Sequence, residues 1–298
     1  MVDYGISEGT VGLRNEVIDS MVKQIAAQTY KFKQACAIVP TSAWKNTFFR
    51  ENTDVLAGGV GNTTKGLPRG ANFPQATVSW EEVSVRIVKY GLEDNIAWED
   101  LLANDINIQS RTVIKLTAGV VKAVDDEIWD GLTETLGTAS SNRIQSFAID
   151  GTTQGSWDEA SAAIIDNIMR ASEMIGKKNY DTSDLMCFVS PRDKRSIMKY
   201  LADKGAQWMP VATDIVTNGN IGRIAGVTII ESNSVTASYA LVVKPKTCAT
   251  WKELVSLRST TVDDPYKSLK IRVVEEGVLE LTDPLAVVLI KNTQSPNA

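Results

Sequence analysis

The stretch from about residue 105 to residue 137 limits what this chain can become. Its apolar residues fall at Ile106, Val113, Ile114, Val120, Val121, Val124, Ile128, Leu132 and Leu136. Steps of three, four and seven dominate, which is the period of a helix with one buried stripe. Val124, Ile128, Leu132 and Leu136 form a ladder four residues apart, while Lys115, Lys122, Asp125, Asp126, Asp130 and Glu134 take the other side. Gly137 suits a C-terminal cap. At about 1.5 Å per residue, some 30 residues span roughly 45 Å. That is longer than a typical globular helix and holds too few heptads for a coiled coil. A one-sided helix of this length requires an equally long surface to lie on.

Composition narrows the function classes. The 298 residues suffice for a sizeable core and more than one domain, and 43% apolar with 22% charged residues is the balance of an ordinary soluble globular protein. A net charge of −5 argues against tight binding of a nucleic-acid backbone by the chain's overall field. Nothing in the sequence reads as a signal peptide, and no apolar run is long enough to span a membrane. Cys36, Cys187 and Cys248 lie far apart and read as buried, reduced thiols. The chain has no histidine, which removes Ser-His-Asp and Cys-His catalysis and histidine metal ligands together. No cofactor is expected.

Taken in order, residues 9–34 read as a helix, with Leu13, Val17, Met21, Ile25 and Gln28 in one row and Ile18 and Val22 beside it. Its stripe packs either on its own domain or on a neighbouring subunit. Residues 35–50 are strand-like. Gly58, Gly59, Gly61, Gly66 and Gly70, with Pro68, then mark an excursion that buries little. Val83, Val85 and Ile87 alternate with polar residues, whereas Val78 and Trp80 sit on the other phase, so a bulge or bend is expected at Glu81–Glu82. Residues 45–90 thus form a two-stranded arm with a glycine-rich tip. Such a ribbon is marginal alone and must lie on something else.

A short helix near Trp98–Leu102 precedes the long one, and 138–155 is polar and turn-rich. Residues 156–268 read as an α/β unit. Ser156 and Glu159 stand in capping-box spacing before a helix with Ala160, Ile164, Ile168 and Ser172 in one row and Ile165 and Met169 in another, ending at Gly176. Leu185–Val189 is a buried strand, and Ser190 and Pro191 are N-cap and first residue of the next helix. A loop over 206–223 leads to strands at Val227–Glu231 and Tyr239–Val243. A long strand runs from Leu269 to Leu281, Asp283–Pro284 breaks it, and Leu285–Ile290 is a final short strand.

Candidate chemistry fails on geometry. Gly58–Gly61 with Lys65 lacks the Gly-Lys-Ser/Thr and following helix of a phosphate loop. The consecutive residues Asp125, Asp126 and Glu127 point in different directions on a helix, and with Asp130 they read as a solvated face rather than a metal site. Glu81–Glu82, Asp263–Asp264 and Glu275–Glu276 are adjacent pairs whose side chains an extended strand sends to opposite faces. The seven tryptophans are spread through every segment without basic interleaving, as core or subunit-interface anchors are.

The order of parts resembles a known family. A helical N-terminal arm and a glycine-tipped two-stranded loop precede "VSVRIVKYGLEDNIAWEDLLAND" and the long helix; "CFVSPRDKRSIMKYL" and "GNIGRIAGVTIIESNSV" follow, and the chain closes with "LKIRVVEEGVLELTDPLAVVLIKN". This arrangement resembles the major capsid proteins of tailed bacteriophages, with their α+β, Hong Kong 97-type fold. The resemblance implies an N-terminal arm at 1–40 and an extended β-hairpin loop (E-loop) at 41–90 that lies over a neighbouring subunit. It implies a peripheral domain at 91–155 and 261–283, with the long helix as its spine and a β-sheet, and an axial α/β domain at 156–260 and 284–298.

The same resemblance implies self-assembly as hexamers and pentamers into an icosahedral shell, found in the virion and, during assembly, in the host cytoplasm. Partners would be a separate scaffolding protein, a portal protein and a decoration protein, with packaged double-stranded DNA held non-specifically and no membrane. No catalytic or metal residues are implied. Some members carry an N-terminal scaffolding region that a protease removes; here the arm begins close to Met1, and such a region is not expected. Some join subunits covalently through a loop lysine and an asparagine. Lys65 supplies the amine, but the loop at 258–268 holds Asp263 and Asp264 and no asparagine. A non-covalent shell is therefore expected, with Gly58, Gly59, Lys65, Arg69, Asp263 and Asp264 at intersubunit contacts. The rivals are an encapsulin, a compartment of the same fold that packages enzyme cargo, and a carboxylate-based enzyme.

Overall fold

A computed structural model describes residues 15–51, 69–70, 80–102, 106–133, 144–151, 154–203, 221–264 and 267–295. The first helix, α1, is Asn15–Thr29. It stops short of the expected residue 34: a separate 3-10 turn, Phe32–Gln34, follows and leads into strand β1, Ala37–Pro40. The arm is β2, Lys45–Glu51, and β3, Trp80–Arg86, paired antiparallel from Lys45 opposite Arg86 to Glu51 opposite Trp80. That register is unbroken, so the bulge expected at Glu81–Glu82 is absent. Glu81 instead shares its face with Val83 and Val85, and a polar residue on the packed face mimicked a phase change. The arm's glycine-rich tip lies outside the described residues.

Strand β4, Val88–Ala97, and the short helix α2, Trp98–Leu102, lead to the long helix α3, Ile106–Thr133. Val113, Val120, Val121, Val124, Ile128 and Leu132 are buried along it, and Lys115, Lys122 and Asp130 are exposed. Two residues depart from the expected stripe. Ile114 is exposed, and Asp125 is buried. Asp125 follows buried Val121 by one helical turn and so shares its face. The expected cap, Gly137, lies outside the described residues.

Strand β5, Gln145–Ala148, emerges from the stretch read as polar turns. Helix α4, Ile164–Gly176, starts later than its supposed capping box: its N-cap is Ala163. Ser156 and Glu159 instead close a turn, with the Glu159 N–H donating to the Ser156 carbonyl at 2.9 Å. Strand β6, Met186–Val189, and helix α5, Pro191–Asp203, follow as expected, and Ser190 Oγ accepts the Asp193 N–H at 3.1 Å. Strands β7, Arg223–Ile224, β8, Val227–Glu231, and β9, Tyr239–Val243, come next. Then a hairpin unites β10, Ala249–Asp264, with β11, Ser268–Leu281. A 3-10 turn at Pro284–Ala286 precedes β12, Val287–Lys291.

Two large sheets result. One has the order β1-β10-β11-β4 and the other β5-β12-β9-β6-β8-β7. Helices α1 and α3 contact each other; α1 lies on β10, and α3 on β11 and β4. The long surface that α3 requires is thus the β10–β11 hairpin with its neighbours. Of the two alternatives for α1, its described part packs on its own chain: Ile18, Val22 and Ala26 are buried, and Asp19 accepts the Ser259 N–H at 2.9 Å. The six-stranded sheet divides two cores by its period of two. Leu241, Val243, Val287 and Leu289 face the α3 core; Ala240, Val242, Val288 and Ile290 face α4 and α5. Two stretches pair outside the expected division. Strand β5, within 91–155, joins the six-stranded sheet, and β10, which begins at Ala249, belongs wholly to the four-stranded one.

Candidate functional site

The arm presents two unlike faces because its side chains alternate. Inward, Phe48, Arg50, Val83 and Val85 meet Gly131 of α3 and Leu279 and Leu281 of β11 around a cavity of about 300 Å³. Arg50 Nε donates to the Leu281 carbonyl at 3.0 Å, and the guanidinium stands 5.7 Å from the Phe48 ring centroid. This seats the base of the arm on the spine helix and the long hairpin. Outward, Phe49 is 62% exposed, and Trp44, at the foot of the arm, is 60% exposed. Ile38 and Val39 on edge strand β1 are also uncovered. Large exposed side chains of this kind, on an arm and beside a sheet edge, are what a subunit offers to neighbours.

The residues expected at intersubunit contacts are placed as follows. Gly58, Gly59 and Lys65 lie outside the described residues. Arg69 is exposed in a turn beside Gly70, whose φ of +79° suits glycine. Asp263 stands opposite Leu269 in the β10–β11 hairpin and Asp264 opposite Ser268. The Asp264 carboxylate lies 3.5 Å from Lys267 Nζ, a partner in its own turn. Within one chain, Arg69 and Asp264 are not brought together.

Composition did not point to the most elaborate polar cluster, which fastens residues 30–36 to the rest of the fold. Lys33 Nζ lies 2.7 Å from Glu275 Oε1 and 2.9 Å from Glu253 Oε1. It stands 4.7 Å from the Tyr30 ring centroid and 5.8 Å from that of Trp251. Glu275, on β11, is fully buried, and the Tyr30 hydroxyl donates to it. Burial and the Glu275 carboxylate hold the Tyr30 phenol well above its usual range. Phe32 stacks on Phe188 of β6, with centroids 4.3 Å apart, and tilts against Trp129 of α3 at 5.6 Å. Asp125 accepts the backbone N–H of Lys31 at 2.9 Å and of Phe32 at 3.2 Å. Burial pushes its carboxyl up to about 6 against the pull of those N–H groups. The cluster ties the N-terminal segment to α3, β10, β11 and β6 at once. Lys33, whose charge is unusual in a core, and the four-residue spacing of Asp125 from Val121 were its only sequence signals.

Among the described residues no group of three or more metal-ligating side chains forms, and no helix is long and apolar enough to cross a membrane. A long helix laid on a long hairpin, an arm with uncovered aromatics and an exposed sheet edge are the features that stand out in this fold. The family model for phage capsid protein matches residues 80–290, and the chain belongs to that family.

Solved structures give the fold independently of close sequence likeness. The capsid of Cyanophage P-SCSP1u is similar at 13% identity with a TM-score of 0.63, covering 89% of this chain and 89% of that one. A virus-like particle from Pyrococcus furiosus is similar at 10% identity and a TM-score of 0.62, covering 93% of this chain and 98% of its own. The capsid of an empty GTA particle follows at 13% identity and 0.64, covering 89% and 90%. No curated protein matches the chain. The α+β, Hong Kong 97-type architecture expected from the order of parts is therefore the fold of this protein.

Proposed function

We propose that this chain is the major capsid protein of a tailed double-stranded DNA phage, and that it assembles as hexamers and pentamers into an icosahedral shell around the genome. The observation that carries the reading is the family match over residues 80–290, which spans the second strand of the arm, the spine helix and, β1 apart, the strands of both large sheets. The four-stranded sheet with α1 and α3 then forms the peripheral part of the subunit. The six-stranded sheet with α4 and α5 forms the axial part, near the capsomer axis. The β2–β3 arm reaches over a neighbouring subunit, with Phe49 and Trp44 as its apolar contacts. The tip glycines Gly58 and Gly59, with Lys65, Arg69, Asp263 and Asp264, lie at contacts between copies.

Such a shell is non-covalent, because the stretch 258–268, where the end of β10 turns into β11, supplies carboxylates rather than an amide. It is built with a scaffolding protein and a portal protein in the host cytoplasm and steadied by interdigitated arms or a decoration protein. The DNA is held without sequence preference, as the net charge of −5 fits. An encapsulin reading shares the fold, but the matched family is of phage capsids. Portal and terminase genes beside this one, rather than a cargo enzyme, separate the two.

The arm gives the test. Phe49→Glu with Trp44→Glu places charge on exposed positions, so the subunit folds with unchanged circular dichroism but sediments as free subunits or capsomers. Normal particles from this variant would remove the arm from the assembly contacts.

A further inference from the structure

We propose that Asp125 is a proton-operated latch on the segment joining α1 to β1: a proton on its carboxyl keeps residues 30–36 docked on α3, and loss of the proton lets them go more readily. Asp125 stands about two-thirds of the way along α3 and is only 4% exposed. Its two oxygens take the N–H groups of Lys31 and Phe32, the start of the 3-10 turn. A helix side chain thus caps a backbone turn far away in sequence. Among the described residues no lysine or arginine forms an ion pair with it.

The charged and titratable groups around it are accounted for. On α3, Asp126 is engaged by Lys122. On the docked segment are Tyr30, Lys31, Lys33 and Cys36, of which Lys33 is held by Glu253 and Glu275. Across the cleft that Asp125 lines with Lys31 and Lys122, Lys194 pairs with Glu231 at 2.8 Å. The ionised form of Asp125 therefore rests on backbone N–H groups alone, in a place where burial disfavours charge.

The direction of the effect follows from linkage. Docked, the carboxyl is raised, mainly by burial and further by Asp126, to about 6 from an ordinary 3.8. Once the segment lifts, water reaches the carboxyl and it returns towards the ordinary value. The docked state therefore binds the proton more tightly. Its contribution to docking is fully present below the ordinary value and is lost as pH rises through about 6. The separation corresponds to roughly a 100-fold change in the docking equilibrium. This latch lies within one chain and stands or falls independently of the capsid reading.

Hydrogen exchange of the whole protein, read by mass spectrometry from about pH 5 to about pH 8 and corrected for the intrinsic rate, follows the docking directly. Protection of residues 31–36 is expected to fall with rising pH, by roughly tenfold over this range, while strand β9 in the core holds steady. Asp125→Asn keeps the size and one acceptor oxygen but carries no charge, and it is expected to flatten the dependence. Protection that is independent of pH in the unsubstituted protein overturns the proposal without need of any variant. An equal fall in D125N overturns it as well, by moving the titration to another group.

Discussion

At the scale of single residues, the fold depends on charges placed where charges are costly. Glu275 has no exposure, and Lys33 is its cation. Lys33→Met keeps much of the side chain's length and leaves Glu275 buried without its cation, a change that costs about 3–5 kcal/mol. For a chain of this size the melting temperature is expected to drop by roughly 10 °C, and a drop under about 2 °C would mean that Glu275 finds another partner. The thiols are the opposite case. Burial pushes Cys187 and Cys248 up to about 12 and Cys36 well above its usual value. At pH 8 the nucleophilic thiolate of Cys187 and Cys248 is then roughly one part in 10,000. Native protein should resist alkylation and take up three equivalents after denaturation; rapid labelling of the native form would show that a cysteine is open to solvent. Sequence reading anticipated the buried thiols, because three scattered cysteines have no other common fate. It misplaced Asp125, because an acid beside other acids on a helix reads as solvated until its turn of the helix is compared with Val121.

At the scale of elements, regular periodicity was legible and interrupted periodicity was not. The long helix, α5 with its Ser190–Pro191 start, strands β8 and β9, and the Leu269–Leu281 strand all follow their hydrophobic patterns. Strand β10 escaped notice although it is sixteen residues long. Its pairing with β11 shifts register between Glu253 and Val255 and again between Val255 and Arg258, and each shift breaks the period of two. The hairpin has a further constraint that no pattern shows. A Cβ on Gly277 would come 2.5 Å from the Trp251 ring and 2.9 Å from the Lys252 carbonyl oxygen. Gly277→Ala is therefore expected to cost about 1–3 kcal/mol by overpacking, measured as a lower denaturation midpoint; an unchanged midpoint would mean that Trp251 yields without strain. On the facing helix, Val124→Pro removes a hydrogen bond and clashes with the preceding turn, at about 3 kcal/mol or more. Soluble expression should fall sharply, and a variant that folds normally would contradict a continuous spine.

At the scale of the whole molecule, the parts form one system. The spine helix needs the long hairpin, the hairpin receives the base of the arm, and residues 30–36 tie both to the second sheet through Phe32 and Phe188. The order of the described parts was readable in the sequence because each has a distinct pattern: a long apolar stripe on the spine helix and β-branched runs in the strands. How copies meet was not readable, since exposed Phe49, Trp44 and Ile38 name surfaces without naming what covers them. The central claim is that the chain closes into shells. Electron microscopy of the purified, overexpressed protein tests it most directly, with a denaturing gel of the same particles after boiling. The account predicts closed particles of uniform size that dissociate to one band near the chain mass of 32.4 kDa. A stable monomer at high concentration, with no particles or capsomers in the field, would contradict it.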